Sequence, residues 1–270
     1  MGFALMAGLV FLMGLLWGSF LGVVVYRTIK KDSSPLSGRS KCDKCSKALS
    51  WWQNIPLFSF LLLKGKCFYC KKSIDWSYPL TELITGVLFL WWFVVGRSFF
   101  ILAGSPWSIL QPVFWLVVGM ALLVVFLTDL KYGIISDGTN LFLFSWVLFY
   151  RLLLVGNGEM MMVDFGKAVV SAIVLTGFFW SLWWFTKGKG FGFGDVKFAP
   201  SIGLLLGWPK TLVGTMSSFV IGSVVGVLLI LLGKKKFGQT IPFGPFLVVG
   251  IVVALLWGGP LWNWYLGMLQ

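Results

Sequence analysis

Apolar runs recur from Phe3 to the last stretch of this chain, and a soluble fold of its size has no core large enough to hide them. Hydrophobic residues make up 58% of the 270 and charged residues 11%, the composition of a helical protein that crosses a membrane many times. The first run, Phe3 to Tyr26, is long for a signal peptide and lacks a basic lead-in and a small-residue cleavage site, so it is expected to persist as a span. Further segments are expected over residues 80–96, 109–128, 141–155, 168–185, 196–208, 211–232 and 246–262. The piece at 196–208 is too short to cross a hydrocarbon layer of about 30 Å alone as a helix rising 1.5 Å per residue. The fold class is therefore all-α and polytopic, with about eight membrane segments and no internal repeat or low-complexity tract.

The net charge of +13 would suggest nucleic acid in a soluble protein, but its distribution says otherwise. Eleven of the 22 Lys and Arg residues fall between Arg27 and Lys72. The positive-inside rule places that segment in the cytoplasm and the N-terminus outside, and it fixes the later loops by alternation. Lys131, Lys187, Lys189, Lys197 and Lys234 to Lys236 then fall inside, with Arg97, Arg151, Lys167 and Lys210 outside. The basic balance is thus expected to reflect topology and contact with anionic membrane lipids, with no nucleic-acid partner.

The basic segment also holds all four cysteines. Cys42 and Cys45 form one C-x-x-C pair and Cys67 and Cys70 another, close to the spacing of a four-thiolate zinc site. Lys41, Lys44, Lys47, Lys66, Lys71 and Lys72 favour thiolates over thiols, and a cytoplasmic setting disfavours disulfides. A redox pair or an iron–sulfur cluster competes with zinc. Four sulfurs, however, close a tetrahedral shell and leave no open position, which favours structural zinc. The metal would fold a segment with few aliphatic core residues of its own. The chain is accordingly expected to divide into a first transmembrane segment (1–27), a cytoplasmic zinc-binding subdomain (28–78) and a membrane-embedded domain (79–270).

Carboxylates are scarce, nine in all, and there is no histidine. Asp129 ends the third apolar run and Asp195 starts the sixth, so the topology sets both at one depth on the cytoplasmic side. Acidic groups at membrane depth are costly and are by default functional. Close together, such a pair shares a proton, one carboxylate activating water and the other polarising a carbonyl. The alternative on physics alone is that Asp195 caps a helix and Asp129 merely begins a loop. Gly192 and Gly194, with Gly190, are expected to permit left-handed turns and a close approach by an extended substrate. Asp137 is expected to N-cap the fourth span. Glu82, in the first turn of the second span, suits either the helix dipole or a binding role. The remaining carboxylates read as solvated.

Gly18-Ser-Phe-Leu-Gly-Val-Val-Val-Tyr-Arg27, the paired C-x-x-C, Trp51 to Leu63 with Asn54-Ile-Pro-Leu, and Tyr78-Pro-Leu-Thr-Glu82 occur in that order. Asp129-Leu-Lys-Tyr-Gly-Ile-Ile-Ser-Asp137, Gly192-Phe-Gly-Asp195-Val-Lys197 and Pro242-Phe-Gly-Pro245 follow. In this order and spacing, over nearly the whole length, the chain resembles bacterial prepilin leader peptidases, members of the G-x-G-D aspartic intramembrane proteases. It departs from them at Gly22, where the family usually has Asn, and at Ser136, where it usually has Pro. The resemblance implies that Asp129 and Asp195 are the catalytic pair, cleaving the short basic leader of type IV prepilins or pseudopilins on the cytoplasmic side of the bacterial inner membrane. It also implies N-methylation of the new N-terminus from S-adenosylmethionine, with a cofactor site near the zinc segment and Glu82. A cation or proton-coupled transporter with a metal-binding module is the alternative in another class; it predicts carboxylates nearer mid-membrane and an inverted repeat.

Overall fold

The computed structural model describes residues 2–30, 38–96, 106–188, 190–236 and 239–268; Asp32, Arg97 and Lys189 lie outside the described residues. The helices are α1 (Gly2–Lys30), α2 (Phe58–Leu62), α3 (Ser77–Trp91), α4 (Trp107–Tyr132), α5 (Asp137–Gly156), α6 (Met162–Thr186), α7 (Phe193–Leu206), α8 (Lys210–Leu231) and α9 (Gly244–Gly267). A 3₁₀ turn covers Trp51–Asn54, and α3 runs on as a π turn over Trp92–Gly96. Among the described residues the only β pairing is two isolated bridges, Lys41 with Ala48 and Lys66 with Ser73. Seven helices, all but α2 and α7, are long and apolar enough to cross a membrane. This is the multi-pass helical architecture that the hydropathy implies.

The chain forms two compact units, residues 1–120 and 121–270, with α4 contributing to each. In the first, α1 packs against α3. Three glycines four residues apart make that contact possible. A Cβ on Gly14 would sit 2.8 Å from the Gly86 Cα, one on Gly18 2.5 Å from the Glu82 Cα, and one on Gly22 3.1 Å from the Tyr78 ring. In a membrane, where apolar burial gives helices no reason to associate, such small residues let backbones approach and supply the packing energy. Gly22, the departure from the family's Asn, thus provides the seat for Tyr78.

Between α1 and α3 lies a local repeat that the sequence reading missed. Residues 40–49 (SKCDKCSKAL) and 65–74 (GKCFYCKKSI) fold alike, each with its C-x-x-C in a turn. In the first, Cys42 N–H donates to Lys47 O (3.0 Å) and Leu49 N–H to Ser40 O (2.8 Å). In the second, Cys67 N–H donates to Lys72 O (2.9 Å) and Ile74 N–H to Gly65 O (2.8 Å). Ser46 and Lys71, one residue past each pair, both take φ +57. The repeat is short and rests on four shared residues, Lys41/Lys66, Cys42/Cys67, Cys45/Cys70 and Lys47/Lys72, so metal-ligand spacing conceals it as a repeat.

In the second unit, α7 is the central helix. It packs on α5 and α6, touches α8 and α9, and buries ten of its fourteen residues, including Phe198, Ala199 and Ser201 at 0% exposure. At about 21 Å it is too short to cross alone, and its protein surroundings remove the need to match a lipid layer. Its last turn is closed by the Arg151 guanidinium, which donates to Leu205 O (3.1 Å). At Gly203 a Cβ would overlap the Ala172 backbone, so α6 and α7 meet nearly backbone to backbone.

Two boundaries differ from expectation in ways that matter. Helix α3 begins at Ser77, making Pro79 its third residue, where a missing N–H still costs no helical bond. Helix α4 continues through Asp129 to Tyr132, with Gly133 N–H donating to Asp129 O (2.8 Å), so Asp129 begins no loop.

Gly18→Val should lower the stability of the protein by about 1–3 kcal/mol, since the added atoms meet backbone that cannot give way. A fall in thermal unfolding midpoint in detergent checks this, against an unchanged midpoint for Gly8→Ala, where a Cβ meets nothing within 4 Å.

Candidate active site

Asp129 and Asp195 come from different helices, α4 and α7, and each is only 6% exposed. Asp129 lies near enough to act electrostatically on the Asp195 carboxyl. Asp195 is the third residue of α7, where its charge faces the helix N-terminus. Asp129 Oδ2 accepts the Gly244 N–H at 2.8 Å, a buried bond spanning 115 positions. A Cβ on Gly244 would stand 2.7 Å from that oxygen and 2.9 Å from the carboxyl carbon. Gly244 is the first residue of α9, so its N–H has no helical acceptor and is free for the carboxylate. The sequence held a signal for it, glycine within Pro242-Phe-Gly-Pro245, but no residue pattern tied that motif to Asp129.

The loops carrying these groups are held by aromatic packing. Phe191 and Phe243 pack at a tilt with centroids 5.0 Å apart, and each also meets Phe219, at 5.9 and 5.0 Å. Phe179, fully buried, completes the cluster against Phe191 at 5.3 Å. Phe191 directly precedes Gly192, and Phe243 directly precedes Gly244, so one apolar cluster fixes both backbones at the carboxylates.

Gly192 and Gly194 flank Asp195, but neither takes positive φ; Gly192 has φ −74 and ψ 142. The expectation of left-handed turns there was wrong. Proximity explains them instead: a Cβ on Gly194 would press Ile135 at 3.3 Å, and one on Gly192 would lie 3.4 Å from Asp195 Oδ2.

Asp137 does not cap its helix. Ser136 does, its Oγ accepting the Thr139 N–H at 3.4 Å, which gives the departure from proline a local role. Asp137 instead pairs with Lys197, whose Nζ donates to both carboxylate oxygens at 2.8 and 3.0 Å. Beneath that pair, Asn140 Nδ2 donates to Lys197 O and Ser201 Oγ to Asn140 Oδ1 at 2.7 Å. These bonds tie the start of α5 to the second and third turns of α7.

The four cysteine sulfurs lie within 4.8 Å of one another. Cys42 and Cys70 are 4.0 Å apart, near the separation of about 3.8 Å that tetrahedral bonds of 2.3 Å to one ion require. Burial pushes the Cys42 thiol up to about 11. Burial also opposes ionisation of Cys67, but the N–H groups of Cys70 and Tyr69 and the neighbouring thiols outweigh it and bring that group down to about 7. A bound cation would favour the thiolate form of all four sulfurs. The residues present fit such an ion.

Glu82 is in the second turn of α3, half-buried. Its Oε2 accepts the Leu57 N–H at 2.8 Å, and the Ser19 hydroxyl also bonds to it. In the same loop Gln53, 7% exposed, gives Oε1 to the Ser50 N–H (2.9 Å) while its Nε2 has no partner.

Comparison with known proteins settles the family. The profile described as Bacterial Peptidase A24 N-terminal domain matches residues 12–95, and that of the Type IV leader peptidase family matches residues 115–230. The chain is 32% identical to the prepilin leader peptidase/N-methyltransferase of Aeromonas salmonicida, covering 96% of this chain and 93% of that protein. Similarity is equal, 32%, to the proteins of that name from Aeromonas hydrophila (96% and 93% covered) and Pseudomonas aeruginosa (94% and 91%). The chain belongs to the type IV prepilin peptidase family. No solved structure matches it.

Gly244→Ala should reduce peptide-bond cleavage by about 10²-fold or more, because the methyl displaces the Asp129 carboxylate although neither aspartate is itself replaced. Turnover of a prepilin substrate checks this. Cys67→Ser should lower bound metal from about one ion per chain to near none, as elemental analysis of the purified protein would show.

Proposed function

We propose that this protein removes the N-terminal leader of type IV prepilins or pseudopilins, using Asp129 and Asp195 as an aspartic dyad, and then methylates the new N-terminus. The observation that carries the reading is the convergence of two buried carboxyls from α4 and α7 in one compact unit. One carboxylate takes a proton from water as its oxygen attacks the scissile carbonyl carbon, while the other, protonated, donates to the carbonyl oxygen. The tetrahedral intermediate collapses as the leaving amine takes a proton from the dyad, and the peptide C–N bond breaks. The Gly244 N–H holds Asp129 in place throughout. The exposed backbone at Gly192, in the loop it shares with Gly194, supports a substrate strand beside Asp195.

In this reading the four-cysteine cluster holds zinc as scaffold, since a closed thiolate shell leaves no position for substrate. The N-terminus lies outside and the dyad faces the cytoplasm, supported by the concentration of Lys and Arg between Arg27 and Lys72. S-adenosylmethionine, which supplies an electrophilic methyl group, would be held near Glu82 and Gln53. The unpartnered, buried Gln53 amide offers a donor suited to a carboxylate or a ring nitrogen.

Incubating purified protein with a prepilin and S-adenosylmethionine, and reading product mass, tests both activities. Asp129→Asn and Asp195→Asn should each lower leader removal by at least about 10³-fold; substantial cleavage by either variant would refute the dyad. Asp137→Ala should stay within about threefold, because its ion pair is largely exposed and such pairs are worth little. Gln53→Leu should keep leader removal and lose the added methyl group. Equal loss of both would place Gln53 in general folding instead.

A further inference from the structure

Residues 51–63, Trp-Trp-Gln-Asn-Ile-Pro-Leu-Phe-Ser-Phe-Leu-Leu-Leu, carry no charge in the middle of the most basic segment of the chain. Several of their apolar side chains have no cover: Trp51 is 80% exposed, Phe58 57%, Leu61 73% and Leu62 57%. Phe58, Leu61 and Leu62 lie at the i, i+3, i+4 spacing of one helix face on α2. In water such a surface would be costly, and the metal subdomain is too small to fold it inward.

The depth of this stretch can be read from α1. Because α1 and α3 run antiparallel with Gly18 against Glu82 and Gly22 against the Tyr78 ring, Glu82 lies level with Gly18, nine residues before Arg27. At 1.5 Å per residue that is about 13 Å deeper than Arg27 along the helix. The Glu82 side chain leans back toward the start of α3 by about one turn, which leaves its carboxylate about 8 Å below the Arg27 level. Leu57 N–H donates to that carboxylate at 2.8 Å. By contrast the first cysteine knuckle is entered at the level of Arg27 itself, whose guanidinium donates to Gly38 O (2.8 Å) and Arg39 O (3.2 Å). Trp76, packed on Phe60 at 4.9 Å, fixes α2 beside the point where α3 begins.

The backbone is also prepared for an apolar setting. The N–H groups of Ile55, Ser59, Leu61 and Leu63 donate to Trp52 O, Ile55 O, Leu57 O and Ser59 O, and that of Phe58 to Pro56 O. Leu57, left over by this local pattern, is the residue that Glu82 serves. Backbone entering lipid must be satisfied in this way.

We propose that residues 51–63 form an interfacial wedge inserted in the lipid leaflet beside the start of α3, with Phe58, Leu61 and Leu62 among acyl chains. Lys64 and Lys66, both exposed at its rim, meet the headgroups of anionic lipid. The metal knuckles stay in water above it. Glu82 is then a membrane-level anchor for the wedge as well as a neighbour of the cofactor region.

The test uses the full chain in nanodiscs containing phosphatidylglycerol brominated in mid-chain, with an environment-sensitive fluorescent amino acid at position 61 and, in a second protein, at Lys44. Bromolipid should quench the label at 61 at least about threefold more than that at 44, with aqueous iodide showing the reverse order. A label at Leu62 gives an independent reading if the first variant does not fold. Equal bromolipid quenching at the wedge and at position 44 overturns the proposal. Strong iodide quenching at 61 that is relieved only by adding a prepilin also overturns it, since the patch would then belong to a protein partner.

Discussion

Burying two carboxyl groups among apolar helices is the constraint around which residues 121–270 are built. Neither aspartate has more than 6% of its surface exposed, and an unpaired charge in such a place would cost several kcal/mol. The cost is met locally. A helix start aims its unused N–H at Asp129, another helix start lies under Asp195, and the Phe179, Phe191, Phe219 and Phe243 rings hold both starts where they are needed. The central position of α7 follows from the same need. A helix carrying a carboxylate into the unit is best surrounded by protein, and a helix so surrounded can be short.

The metal subdomain meets a different shortage. Its buried hydrophobic inventory is small, so its shape depends on two similar knuckles closing four sulfurs on one point. Such knuckles can form only if their chain reverses tightly after each C-x-x-C, which Ser46 and Lys71 achieve by adopting left-handed backbone at the same place. The repeat is therefore a consequence of ligand geometry, and its sequence trace is limited to the residues that geometry constrains.

Much of this was legible in the sequence, and what was not has a common cause. Hydropathy marks spans because lipid acts on every residue of a helix, so the long helices and the shortness of α7 could be read directly. Spacing marks the cysteine cluster because the ligands are local. By contrast the bond from Gly244 to Asp129 joins residues 115 apart, and the link of Lys197 to Asp137 joins residues 60 apart; no local pattern carries such pairings. The glycines at 192 and 194 mislead for a related reason. Glycine reports either a special dihedral or a close neighbour, and only coordinates distinguish Ile135 pressing on Gly194 from a left-handed turn. Asp137 resembles a cap in sequence, yet Ser136, standing where proline is usual in the family, is the residue that caps.

Glu82 and Asp129 then form an instructive pair. Each is a carboxylate on a membrane helix, and each accepts one backbone N–H from a residue at the start of another helix: Leu57 before α2, Gly244 opening α9. The local solution to burial is the same. What separates them is the next neighbour. Glu82 has the Ser19 hydroxyl, a donor that satisfies it and leaves nothing to exchange. Asp129 has a second carboxyl within electrostatic reach, and two such groups repel each other when both are charged. A satisfied carboxylate anchors a loop; two carboxyls that repel each other suit the proton exchange required of the dyad proposed above.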